Sequence, residues 1–166
     1  GIAVPANAWG PGVKGGTVKR AFAHVTDIAP TLFELAGTRH PGTEYQGKTV
    51  LPLRGASMLP VLQGRKDAVH SAGHTVGWEL GGRKALRRGD WKIVFANQPW
   101  GTGDWELYNL AKDRTESRNL AAENPQKLGE MLIAWRDYVR ETGTLEIPNL
   151  ANRPGYSNGA KYYEDL

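Results

Sequence analysis

Between His74 and Asn109 the hydrophobic pattern repeats every second residue in four short runs, each closed by glycine-rich punctuation. A half-buried strand has this period because successive side chains point to opposite faces. The punctuation falls at Gly81-Gly82, at Gly89-Asp90 and across Pro99 to Gly103. The spacing therefore predicts strands at roughly 74–80, 83–88, 91–96 and 104–109, joined as an antiparallel meander. Trp91, Ile93 and Phe95 share one face of the third strand, and Trp105 and Leu107 one face of the fourth. From Asn124 the period lengthens to that of a helix, with Asn124 as N-cap, Pro125 at the first position and Gly143 as the stop. Leu128, Leu132, Trp135 and Val139 form its apolar stripe. A sheet and a helix with one apolar side each bury one another, so the expected class is α+β, a four-stranded antiparallel sheet packed by a C-terminal helix.

Upstream the signals are shorter. Residues 1–12 alternate weakly around Pro5 and predict at best a short or edge strand ending at the Gly10-Pro11-Gly12 turn. Asp27 to Gly37 has an Asp N-cap, Pro30 in the first turn, Ile28, Leu32 and Leu35 on one face, and a terminal glycine, which together predict a short helix. Residues 38–56 form a turn-rich loop, and Ser57 to Leu62 add one helical turn capped by Ser57 and closed by Gly64. The tail after Gly143 is polar and Tyr-bearing, and is expected on the surface or partly disordered.

Composition narrows the function classes. With 40% hydrophobic and 23% charged residues the chain supports a core, which excludes intrinsic disorder as a whole-chain description. Its net charge of +4 concentrates only at Arg83, Lys84, Arg87 and Arg88, and Glu79 and Asp90 flank that cluster. A solvated hairpin face explains it better than a nucleic-acid surface. No run approaches the ~20 apolar residues of a membrane span, and the start Gly1-Ile2-Ala3-Val4-Pro5 has no basic n-region, so a soluble, untargeted segment is expected. A first residue other than Met reads as a boundary within a longer protein. The absence of Cys excludes disulfides, thiolate zinc sites and Cys nucleophiles, and leaves the redox compartment open.

No cofactor motif is present: there is no phosphate-cradling loop, no dinucleotide fingerprint and no His-Glu-x-x-His. Of His24, His40, His70 and His74 only the last two are close in sequence, and two ligands do not make a metal site. All four are read as surface or hydrogen-bonded histidines. A triad can be written down from Ser57, His24 and Asp27, but Ser57 lacks a nucleophile-elbow neighbourhood. Asp113 and Glu116 lie between a strand and a helix, where side-chain bonds to the backbone shape turns. Trp78, Trp91, Trp100 and Trp105 could stack a ligand, yet aromatic residues on strands beside a covering helix are usually core; only Trp100 falls outside that reading. No catalytic, cofactor-binding or metal-ligating residue is assigned.

Several stretches, in order, carry a family likeness. They are His24-Val25-Thr26-Asp27-Ile28-Ala29-Pro30-Thr31-Leu32 leading to Leu35-Ala36-Gly37, then Leu53-Arg54-Gly55-Ala56-Ser57-Met58, then Arg87-Arg88-Gly89-Asp90-Trp91-Lys92-Ile93-Val94. Glu106-Leu107-Tyr108-Asn109-Leu110 and Asp113-x-x-Glu116-x-x-Asn119-Leu120-Ala121 follow. Together they resemble the C-terminal part of the sulfatases, a family of the alkaline-phosphatase-like superfamily. Arg39-His40-Pro41-Gly42 and Thr75-Val76-Gly77-Trp78-Glu79-Leu80 are most similar to bacterial arylsulfatases, and less so to choline sulfatases or phosphonate monoester hydrolases. Ala3 and Asn7 depart from the family, where an Arg and an aliphatic residue are usual.

The resemblance implies a parent enzyme that uses formylglycine, made from a Cys or Ser in a Cys/Ser-x-Pro-x-Arg motif, with a divalent cation of the calcium type. Neither the motif nor the paired acidic ligands occur here, so both are implied upstream, and the chain is implied to begin just after the last catalytic Lys. Residues 1–64 would complete the large α/β sulfatase domain with its last strand and helix, and residues 65–166 would form the small antiparallel subdomain. Separated from that domain, the chain is expected to oligomerise or to keep residues 1–20 poorly ordered. The favoured role is structural support of the N-terminal catalytic portion, with His74 or Trp78 lent to the substrate rim. The alternatives are a stand-alone anion-binding module and, last, a small hydrolase using His24 or His74.

Overall fold

The computed structural model describes residues 4–145. The chain divides into two compact units, the first ending at Ser71 and the second beginning at Ala72.

In the first unit a 3-10 turn, Val25–Asp27, runs into helix α1 (Ile28–Leu35). Strands β1 (Glu44–Tyr45) and β2 (Lys48–Thr49) pair only with each other, and α2 (Leu59–Leu62) is a single turn. Gln46 and Gly47 both have positive φ, +50° and +74°, the geometry that a two-residue hairpin loop demands. The Ser57 hydroxyl accepts from the Leu59 N–H at 3.2 Å, and Gly64, at φ +73°, ends the α2 turn.

Helix α1 is inside out. Asp27 and Thr31 are buried at 0% and 4% exposure, while Ile28, Leu32 and Leu35 are 49%, 59% and 54% exposed. A short amphipathic helix ordinarily turns its apolar stripe to a core. Here the polar stripe is turned inward because Asp27 and Thr31 are satisfied by hydrogen bonds, and the apolar one faces solvent. Of the strand expected within residues 1–12, the described part forms none: residues 4–24 contain no strand, and residues 1–3 lie outside the described residues. A strand needs a neighbour for its backbone N–H and C=O groups, and among the described residues this segment has none to pair with. Trp9 is accordingly 98% exposed.

The second unit is the meander the sequence predicts. Strands β3 (Thr75–Leu80), β4 (Arg83–Arg88), β5 (Trp91–Phe95) and β6 (Trp105–Asn109) pair in that order, all antiparallel. The register places Gly77, Leu86, Ile93 and Leu107 in one cross-strand row. The last three of these are fully buried. Helix α3 (Pro125–Thr142) lays Met131, Ala134 and Trp135 against this row, flanked by Leu128, Leu132, Tyr138 and Val139. Burying each of the three large aliphatic side chains is worth roughly 1.5–3 kcal/mol, so this row supplies much of the unit's stability. Gly77 lets Tyr138 close on the sheet, since a Cβ there would stand 2.5 Å from its ring, and the Tyr138 hydroxyl donates to the Gly77 carbonyl at 3.1 Å.

Three caps differ from expectation. The N-cap of α2 is Met58, not Ser57, and it makes no side-chain capping bond. Asn124 stands at the N-cap of α3 but makes no capping bond; its Nδ2 donates backward to the Leu120 carbonyl instead. Asp27 does not cap α1 directly, because the 3-10 turn intervenes and His24 occupies the cap of that turn. Gly143 ends α3 in the left-handed region as read from the sequence. The expectation for the polar tail concerns residues 146–166, which lie outside the described residues.

Candidate functional site

The polar centre of the first unit is the Asp27 carboxylate, which sequence reasoning linked on paper to His24 and Ser57. One oxygen, Oδ2, accepts the His24 backbone N–H at 2.7 Å and lies 2.8 Å from His70 Nε2; Oδ1 accepts the Ala56 N–H at 2.9 Å. The His24 ring turns elsewhere, its Nδ1 lying 3.0 Å from the Thr26 hydroxyl and 3.4 Å from the Thr26 N–H. Burial alone would raise the Asp27 pKa, but the two N–H donors and His70 outweigh it and hold the carboxyl below its ordinary value. Burial also lowers the His24 pKa, with Asp27 opposing.

Ser57 takes no part in this cluster, its hydroxyl serving α2, so the paper triad is not assembled. Thr31 extends the knot: its hydroxyl donates to the Asp27 carbonyl at 2.6 Å and accepts the Met58 N–H at 2.8 Å. The loop Gly55–Met58 is thus stitched to the start of α1, and Gly55 must be glycine, since a Cβ there would fall 2.1 Å from the Thr26 carbonyl oxygen. A carboxylate held by three fixed contacts from separate stretches ties those stretches together.

The second unit has its own polar cluster, on the sheet face away from α3. Asp113 builds a turn, accepting the Ser117 and Arg118 N–H groups at 2.8 and 2.9 Å and the Thr115 and Ser117 hydroxyls at 3.1 Å. The Arg118 N–H is the main cause of its lowered pKa. Glu116 does not share that role: its carboxylate leaves the turn and pairs with the buried Lys92 Nζ at 2.5 Å, from a backbone held at φ +57°. The Tyr108 hydroxyl donates to Glu106 Oε2 at 2.5 Å, and burial together with that carboxylate raises its pKa. Asn119, which the family stretch includes but to which the sequence gave no role, accepts the Leu107 N–H at 3.0 Å and so satisfies edge strand β6.

The remaining candidates scatter. His40 accepts the Gly42 N–H and meets Phe33 edge-on, while His74 is half-buried just before β3. Trp91 and Trp105 pack on the core cluster as expected of core aromatics, Trp78 is half-buried on the opposite sheet face, and Trp100 is 44% exposed. Among the described residues no three His, Asp or Glu side chains converge to hold a metal ion. The donor set for the divalent cation implied by the resemblance is therefore not met by these residues, and no chemical step is derived through it.

Comparison with known proteins gives the following. No family model matches the chain. An uncharacterized sulfatase of Schizosaccharomyces pombe is 35% identical over 154 residues, 92% of this chain and 28% of the relative. Arylsulfatase K of Danio rerio is 31% identical, over 81% of this chain and 26% of the relative. The solved structure of a 2-O GAG sulfatase superposes with a TM-score of 0.55 at 25% identity, covering 89% of this chain and 33% of that one. The chain thus spans little more than a quarter of the length of the curated relatives it matches.

Proposed function

We propose that this chain, a homologue of the sulfatases that matches a part of their length, is the C-terminal portion of a sulfuric ester hydrolase and supports its catalytic part without supplying catalytic residues. The inverted helix α1 carries this reading. Its stripe Val25, Ile28, Leu32 and Leu35 is exposed, with Leu32 at 59%, on a helix whose other side is already fixed by Asp27 and Thr31. Rotating the helix would break those bonds, so the stripe is relieved only by apolar surface from elsewhere. The segment around Trp9 has the same need. The occupant is the N-terminal portion of the same sulfatase, since that accounts for most of the length of the relatives. The parent's nucleophile, a formylglycine, and its divalent cation, of the calcium type, belong to that portion. An arylsulfatase of the bacterial type is the subclass that the likeness of the loop Arg39 to Gly42 and of β3 favours, and His74 or Trp78 is the residue lent to the substrate rim in this reading.

The test is to incubate the purified chain with 4-nitrophenyl sulfate, with and without calcium, and to co-express it with the N-terminal portion of a sulfatase. No turnover is expected from the chain alone, together with a stable complex that Leu32→Asp dissolves. Turnover by the isolated chain, or a complex indifferent to Leu32→Asp, would overturn the reading.

A further inference from the structure

We infer that Arg83 and Trp100 form a binding platform for a sulfate ester carried on a ring, aryl or sugar; the choice of sulfate rests on the function proposed above. Both residues are exposed, and the Arg83 guanidinium carbon lies 5.0 Å from the centroid of the Trp100 ring. Trp100 was the one tryptophan of the sheet region that the sequence did not assign to the core, and 44% of it remains exposed with Arg83 in place.

The loop that holds Trp100 is built, not slack. The Trp100 and Gly101 N–H groups both donate to the Asn97 carbonyl, at 2.9 and 3.0 Å, and the Gly103 N–H donates to the Ala96 carbonyl at 3.0 Å. Gly101 sits so close to the loop's start that a Cβ would fall 2.6 Å from Ala96 Cβ. An indole fixed outward in this way loses little further freedom when a ligand arrives. Arg83 complements it. Among the described residues its guanidinium has no carboxylate partner, and Glu79, the acid of the same hairpin, is turned back onto the Gly82 N–H at 2.8 Å. The N–H fork is left for an oxyanion, which it can grip through two oxygens, while the ring that bears the anion lies on the indole.

The test is a titration of the chain followed by the indole N–H signals of its six tryptophans in two-dimensional NMR, the Trp100 signal being assigned by its loss in Trp100→Phe. Phenyl sulfate and glucose 6-sulfate are the probes, with phenol and glucose as uncharged controls. Saturable movement of the Trp100 signal by one or both sulfates is expected, and which of them moves it tells an aryl from a sugar ligand. Arg83→Ala should weaken that binding roughly tenfold, the loss of a charge-assisted contact. Unchanged Trp105 and Trp135 signals certify that the variants stay folded. No movement with either sulfate, equal movement with the uncharged controls, or undiminished binding by Arg83→Ala would overturn the platform. Complex formation through α1 does not involve these residues, so failure here leaves that reading standing and the reverse.

Discussion

His70 Nε2 meets Asp27 Oδ2 at 2.8 Å across forty-three residues of sequence, with the two side chains 7% and 0% exposed. This pair, with the His24 and Ala56 N–H groups, makes the Asp27 carboxylate the point where three separate stretches of the first unit are tied.

Acid should loosen that tie. The Asp27 pKa is below its unfolded value of about 3.9, so its stabilisation is complete above that pH and is lost as pH falls through the folded pKa. His24, whose pKa is lowered chiefly by burial, favours the fold while neutral and begins to withdraw that contribution below about pH 6.5. Hydrogen exchange of residues 24–36 against pH should show a shallow loss of protection below neutrality and a steep one in the acid range. Asp27→Asn should cost about 2–4 kcal/mol at neutral pH and erase the steep limb. Retention of that limb would contradict the assignment.

Gly55→Ala and Gly77→Ala should differ in kind. At Gly55 the new Cβ meets backbone, 2.1 Å from the Thr26 carbonyl oxygen, and nothing there can yield without releasing Ala56 from Asp27. At Gly77 it meets the Tyr138 ring, a side chain that can swing at the expense of its contact with the Gly77 carbonyl. Thermal unfolding should place Gly55→Ala at about 3 kcal/mol or more and Gly77→Ala at about 1–3 kcal/mol. The reverse order would show that the loop at Gly55 relaxes freely.

Lys92 and Glu116 offer an asymmetric pair. Removing Glu116 strands a buried ammonium, whereas Lys92→Met replaces it with an apolar chain of similar reach. Glu116→Ala is expected to cost about 1–3 kcal/mol, discounted for the partial exposure of Glu116, and Lys92→Met less than about 1 kcal/mol. The double variant Lys92→Met with Glu116→Gly should recover most of the loss, because glycine also accepts the +57° φ without strain. Denaturant midpoints of the three proteins decide this.

Leu32→Asp tests the exposed stripe without needing a partner. In the isolated chain it should change stability by no more than about 0.5 kcal/mol, since the side chain is already 59% exposed. It should also reduce any concentration-dependent self-association seen by sedimentation. A large loss of stability would mean that the stripe is part of this chain's own core.

The second unit was legible from the sequence because its determinants are local. Period-two runs between glycines set the strands, and Trp91, Ile93 and Phe95 fell on one face with Trp105 and Leu107 beside them. The first unit was not, and the reason is physical. Its centre is assembled from His24, Asp27, Ala56 and His70; His24 and Asp27 are three residues apart, but nothing in their spacing announces Ala56 or His70. Asp27 looked like a helix cap because a capping Asp and a loop-tying Asp have the same sequence neighbourhood. Likewise Glu116 looked like turn chemistry, since its partner Lys92 lies twenty-four residues away. Residues 4–12 form no strand and have none beside them among the described residues, which no local pattern can report.

In the meander each strand finds its mate in the run just before it, and the covering helix follows within the same stretch of sequence. Such wiring keeps the strand-to-strand closures short, so the sheet can gather quickly, while α3 closes later over β3 through the Tyr138 contact with Gly77. Residues 72–145 are therefore the part of the described chain whose assembly leans most on near neighbours in sequence, whereas the tie at Asp27 waits on residues forty-three positions apart.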